Sequence, residues 1–179
     1  MAKEKTRVKK GKVGKACSIK ESLEDLKKEY NVLQKKYSLP SFDELNKDFV
    51  IEKIACEETE FLLREIRRFI GEKVLNYFRF IETLLHPVNA PMFYFSLLKI
   101  LTIKEKKILG EAYKKLMKIE VELIELDLVY DELKEALFIN RTYKLWQDIK
   151  SDLLEVLAAI NKNWDVKIDP GNNNKGYFG

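Results

Sequence analysis

Histidine occurs once in this chain, at position 86, and cysteine twice, at positions 17 and 56. A nucleophile and base drawn from these three would need the fold to bring distant positions together, and no spacing supports that. His86 stands directly before Pro87, where a helix would end and the negative pole of its dipole favours an imidazole, so we read it as structural. The cysteines lie 39 residues apart with no CxxC motif or supporting histidines, which is the usage of free thiols in an intracellular, cytoplasmic protein. Carboxylates crowd one stretch: Glu120, Glu122, Glu125, Asp127, Asp131, Glu132 and Glu135. A di-metal helical centre would also want a Glu-x-x-His pair, and the residue three before His86 is Thr83, so these acids are expected on a solvated face. Gly11 and Gly14 precede no strand, and no phosphate-loop motif occurs. Nothing in these residues specifies an enzyme, a metal or a cofactor.

The cations are more informative. The chain has 179 residues and a formal net charge of +4, unevenly placed. Residues 1–20 carry Lys3, Lys5, Arg7, Lys9, Lys10, Lys12, Lys15 and Lys20 against Glu4 alone, a net of +7, and the remaining 25 bases and 28 acids leave −3. A segment so charged, with no large apolar residue before Ile19, is expected to be a disordered arm over residues 1–17. It lacks the apolar run of a secretory signal. The longest charge-free run, Thr83 to Leu98, spans 16 residues broken by Pro87, Asn89 and Pro91, too short and interrupted to cross a bilayer.

A second cationic cluster occupies residues 99–118, where Lys99, Lys104, Lys106, Lys107, Lys114, Lys115 and Lys118 face only Glu105 and Glu111. Bases at a helix start oppose the macrodipole by about 0.3–1 kcal/mol each, so Lys104, Lys106 and Lys107 are candidates for a phosphate-binding face. Arginine, the better bidentate reader of phosphate, is concentrated at Arg64, Arg67 and Arg68, a face for an anion or for ion pairs with acids of the hairpin. Phe93, Tyr94 and Phe95 could stack bases, but in so apolar a segment they are expected in the core.

Helices must position these groups. Seven Gly and four Pro are too few to punctuate a many-stranded fold, and 46% hydrophobic residues suffice for a single core. Spacing of Ile19, Leu23, Leu26, Tyr30, Leu33 and Tyr37 by 4 and 3 makes a one-sided helix, opened by Ser18 and Glu21 in capping-box register and stopped by Pro40. Ser41 with Glu44 opens a short helix near 42–48. From about Glu57 to His86 the apolar positions cover more than one stripe, so that helix is expected to be central. A short aromatic helix, 92–101, follows Pro91. Thr102 with Glu105 starts a long one to about Leu137, with a seam of Leu109, Leu116, Leu123, Leu126 and Leu133. Asn140 is placed to cap a last helix to about 163. Gly71 and Gly110 fall inside helices, where each costs about 1 kcal/mol relative to Ala, and are expected at close helix contacts.

The chain therefore reads as all-α: residues 18–164 form one small helical bundle ending in a long antiparallel hairpin, with a basic arm before it and a flexible tail, 165–179, after it. The expected function is non-enzymatic binding of RNA or a ribonucleoprotein such as the ribosome through the arm and the helical body. The alternative is an assembly or scaffold protein with coiled-coil-like contacts, in which residues 99–118 of one chain lie head-to-tail against the acidic 119–135 of a homodimer mate or a helical partner.

Overall fold

In a computed structural model, which describes residues 19–57 and 59–168, six helices account for most of the described residues and no strand occurs among them. They are α1 (Ile19–Tyr37), α2 (Phe42–Phe49), α3 (Leu62–Leu85), α4 (Met92–Ile100), α5 (Ile103–Leu128) and α6 (Glu132–Ile168), with a 3₁₀ turn at Ile51–Cys56. The basic residues 3–15, the Ser18 cap and residues 169–179 lie outside the described residues.

Two helix starts follow directly from local chemistry. The Ser41 hydroxyl accepts from the Glu44 amide while the Glu44 carboxylate accepts from the Ser41 amide at 2.8 Å, so two orphan donors of α2 are satisfied at once. Thr102 and Glu105 repeat the arrangement at α5, with the Glu105 carboxylate 2.8 Å from the Thr102 amide. At its far end α2 closes on Val50, a β-branched residue held left-handed at φ 56°, whose amide donates to the Asn46 carbonyl at 2.9 Å.

Helix α3 is the central element, packed against α4, α5, α6 and the 3₁₀ turn. Leu62, Leu63, Ile66, Ile70, Val74, Phe78, Ile81 and Leu84 are all buried, a face wide enough to serve neighbours on both sides. The helix begins at Leu62 rather than at Glu57. Residues 51–56 are spent in the 3₁₀ turn, and the Thr59 hydroxyl accepts from the Phe61 amide at 3.0 Å just before the first turn.

Near the α2 end, Asp48 is nearly buried and joins α2 to α6: it accepts from Lys150 Nζ at 2.6 Å and Gln147 Nε2 at 2.8 Å. Burial works to raise its carboxyl, but these two bonds and the charges of Lys150 and Lys73 outweigh it and hold it below the usual carboxylate range.

The last two helices run antiparallel, as three ion pairs at increasing distance from their connection demonstrate. Lys134 meets Glu125 at 2.8 Å next to it, Arg141 meets Glu122 further along, and Lys104 meets Glu155 at 2.7 Å near the far end. The break between them falls at residues 129–131, not near Asn140. Asp131 is the reason: its carboxylate accepts from the Lys134 amide at 3.0 Å and its carbonyl from the Glu135 amide at 2.9 Å, so α6 starts afresh there. Tyr130 is held outside the helical path by an edge-on contact with Phe61, centroids 4.7 Å apart. Asn140 instead sits within α6, and its amide donates to the Tyr37 carbonyl at 3.1 Å, tying α6 to the end of α1. Helix α6 also continues to Ile168, so residues 165–168, assigned to the tail from sequence, are helical.

The two helical glycines differ in their surroundings. A Cβ at Gly71 on α3 would lie 3.1 Å from Leu123 Cδ2 on α5, whereas nothing lies within 4 Å of one at Gly110. The expectation of close helix contact therefore holds for Gly71 and fails for Gly110. Gly110→Ala should stabilise the fold by about 0.5–1 kcal/mol through backbone entropy. Gly71→Val should destabilise it by about 1–3 kcal/mol because Leu123 must move; denaturant midpoints of the two variants on either side of wild type are the check.

Candidate functional site

Lys104, Lys106 and Lys107 lie in the first turns of α5, but only part of that cluster is free. Lys104 Nζ is engaged by Glu155, whose hydrogen bond and charge raise the ammonium pKa. The Thr102 hydroxyl takes the Lys104 amide at 3.2 Å, so the capping box has used donors that a phosphate would need. Lys106 and Lys107 are exposed, with no carboxylate in ion-pair range among the described residues.

The cationic surface extends beyond these three. Lys104, Lys107, Lys114, Lys115 and Lys118 recur at helical spacing along one side of α5, a row of about 21 Å at 1.5 Å per residue. Beside it, Lys115, Lys118 and Arg141 share with Glu122 a groove of about 360 Å³ between α5 and α6. Three acids interrupt the row: Glu111 holds Lys114 at 3.2 Å, Glu122 holds Arg141, and Glu155 holds Lys104. Arg141 joins this surface only through the hairpin, which sets it against a lysine row 23 residues earlier in the chain than Arg141 itself at Lys118.

The three clustered arginines are not an open anion face. Arg67 is buried, with Nη2 2.7 Å from Asp127 and Nε 2.7 Å from Glu135. Arg68 is surrounded by Glu65 at 3.0 Å, Glu57 at 3.4 Å and Glu72 at 3.8 Å. Arg64 lies over the Tyr130 ring at 4.7 Å and the Phe61 ring at 5.6 Å. Arg67 makes the ion pairs with acids of the hairpin, whereas Arg68 pairs with acids outside it and Arg64 lies on aromatic rings. Glu135 departs from the solvated face expected of its stretch: its side chain is fully buried. Burial pushes its carboxyl above the ordinary carboxylate range, and the Arg67 guanidinium offsets this only in part.

Of the seam leucines, Leu109, Leu116, Leu123 and Leu126 are buried in this chain's own core, so their partners are α3 and α6. Leu133, beyond the break, is 56% exposed and belongs to α6 rather than to the α5 seam. The face of α5 opposite the buried seam carries a second apolar row. Met117, Val121, Ile124 and Leu128, spaced by 4, 3 and 4, are 44%, 67%, 58% and 79% exposed. Ile103 and Gly110 continue it toward the helix start at intervals of seven. The signal was present as a second 3,4 repeat, offset from the leucine seam, on a helix that needs only one apolar face to pack.

The remaining candidates resolve simply. His86 is the C-cap of α3, its amide donating to Glu82 at 2.8 Å and its ring 5.9 Å from Tyr113. Cys56 is exposed and precedes the other end of α3, about 36 Å away at 1.5 Å per residue, so the two form no dyad. Phe93 is exposed, and Tyr94 and Phe95 are half-buried, a departure from the expected core placement. Phe93 rests on Trp164 at 6.2 Å because α6 is long enough to reach past α5 to α4. Among the described residues, no group of three or more His, Cys, Asp or Glu is placed to hold a metal, and no helix is long and apolar enough to cross a membrane. No family model, curated protein or solved structure matches the chain.

Proposed function

We propose that this is a non-enzymatic, cytoplasmic binding protein that engages RNA or a ribonucleoprotein such as the ribosome through phosphate contacts. The observation that carries the reading is the lysine row of α5 with Arg141 beside it, a cationic track of about the length of several nucleotides of backbone. Lys3, Lys5, Arg7, Lys9, Lys10, Lys12 and Lys15 supply a second cationic element, and their density on a short segment suits sequence-independent phosphate contact. Lys106, exposed and, like Lys107, without an acid partner among the described residues, completes the body's contribution.

The test is a salt series of binding to mixed cellular RNA, using the full chain and two variants of it. In one, Lys9, Lys10 and Lys12 become Glu; in the other, Lys107 and Lys115 do. For single-stranded RNA each lost phosphate contact should reduce the slope of log K against log salt by about 0.7. We expect the arm variant to lose about two units of slope and the α5 variant about one and a half. Unchanged affinity and slope in both variants, or no binding by wild type at low salt, would refute phosphate capture.

A further inference from the structure

We infer that the groove between α3 and α6 is a binding site for a neutral, compact apolar small molecule with the bulk of two or three fused rings. Its floor is formed by Leu84, Leu109, Leu153, Val156 and Ile160, all buried, and its open side is bordered by Tyr77 and Leu157, both exposed. Protein interiors are close-packed, so apolar side chains around an unfilled space of about 390 Å³ forgo contacts that an apolar guest would supply. A concave, mostly apolar space of roughly 300–1,000 Å³ with few polar groups is the usual form of a small-molecule site.

Shape and charge identify the occupant. Tyr77 leans on Trp146 at 5.1 Å, which packs in turn on Phe49 of α2 at 6.0 Å, and Phe80 meets Tyr94 of α4 at 6.1 Å. The groove therefore has an aromatic wall toward α2 and another toward α4. Along α3 it runs from Asn76 to Leu84, about 12 Å at 1.5 Å per residue, no longer than a helix is wide, so a partner helix lying along it would meet a wall at either end. A small molecule meets no such obstacle. An apolar cavity of about 150 Å³ takes up benzene, and this space is more than twice as large. No charged side chain lines it among the described residues, and Lys73 and Lys150, one turn before it on α3 and α6, are both engaged by Asp48. An ionised guest would lose water there without gaining a counter-charge, which selects a neutral one. Asn76 and Tyr77, the polar residues of the lining, suit a single hydroxyl or carbonyl at the mouth. None of the cations assigned to phosphate contact borders this groove, so the two readings stand or fall separately.

Titration of 2-naphthol into the isotope-labelled full chain, followed by amide resonances, tests this, with 2-naphthoate as the charged counterpart. The expected result is saturable binding with a Kd below about 1 mM. Signals of residues 76–84 and 153–160 should move while those of α1 stay in place, and naphthoate should bind about tenfold or more weaker. Leu157→Asp, on the exposed border, should weaken naphthol binding by about tenfold or more. Leu154→Asp, exposed on α6 but outside the lining, should leave it unchanged, with circular dichroism and melting of both variants at wild type. No saturable binding up to the solubility of naphthol, naphthoate bound as tightly, or equal effects of the two Asp substitutions would overturn the proposal. So would groove signals that move on dilution of the protein alone, which would give the space to a second copy of this chain.

Discussion

Replacing Arg67 with Ala should destabilise the protein by about 3–5 kcal/mol, because it leaves the fully buried Glu135 carboxylate without its counter-charge. Arg67 is the one cation within ion-pair distance of Glu135 among the described residues, and it bridges from α3 to Asp127 at the end of α5 and to Glu135 at the start of α6. The loss is therefore felt where three helices meet. Replacing the pair together, Arg67→Met with Glu135→Leu, should recover most of it, since a buried ion pair contributes little beyond an apolar pair of similar volume. Equilibrium denaturation of the two single variants and the double gives the coupling directly. A cost below about 1 kcal/mol for Arg67→Ala would mean that Glu135 is hydrated after all.

The same pair has a pH signature of definite sign. Burial raises the folded-state pKa of Glu135 above its ordinary value, so the group's contribution to stability is fully present below the usual carboxylate range and is lost as pH rises through the folded value. Without Arg67 that folded value rises further. The deficit of Arg67→Ala should accordingly shrink on acidification from neutral pH, as the stranded carboxylate takes up a proton, and a deficit that grew instead would contradict this account.

Tyr30→Ala should cost a comparable amount, about 3–5 kcal/mol, by the loss of a large ring from the core. Tyr30 is fully buried on α1, with its ring edge-on to Phe42 at 5.7 Å. Its hydroxyl donates to the Pro40 carbonyl at 2.6 Å, and burial pushes the phenol well above its ordinary pKa. One side chain thus joins α1 to the turn that precedes α2. Tyr30→Phe separates the two roles: it keeps the ring and leaves the Pro40 carbonyl without that donor, for a cost of about 1 kcal/mol. Thermal melts of both variants are the check, and equal losses would show the hydrogen bond, rather than the ring, to be the dominant contact.

Much of this fold is legible in local chemistry because helix starts and buried stripes are short-range patterns. The reciprocal bonds of Ser41 with Glu44 and of Thr102 with Glu105 form between residues three apart, so the residue types and spacing suffice to place them. Trp146, Ile149, Leu153, Val156 and Ile160 are buried as their 3,4 spacing requires. The α5–α6 break was misplaced for a reason equally local. Leu133 and Leu137 continue the leucine spacing past the true break, yet both face outward, while Ala136, Phe138 and Ile139 carry the buried phase of α6. A run of correct spacing cannot reveal that the helix beneath it has stopped and restarted in a new phase. The Asp131 cap was the available signal, and Asn140, a more conspicuous capping residue, competed with it.

The candidate surfaces divide in the same way. Sequence by itself determined that the chain is helical, that α3 is central, and that positive charge gathers at residues 1–20 and 99–118, since each follows from composition or from spacing within one helix. It could not determine which charges are spent. Arg67 and Glu135 are 68 positions apart in the chain and 2.7 Å apart in the fold, and Lys104 meets Glu155 across the hairpin. Only tertiary structure decided those pairs, because an ion pair between helices depends on how the helices are docked. The same holds for the two apolar rows of α5. Both have the spacing of a buried face, and packing against α3 and α6 chose the leucine row for the core and left Met117, Val121, Ile124 and Leu128 facing out.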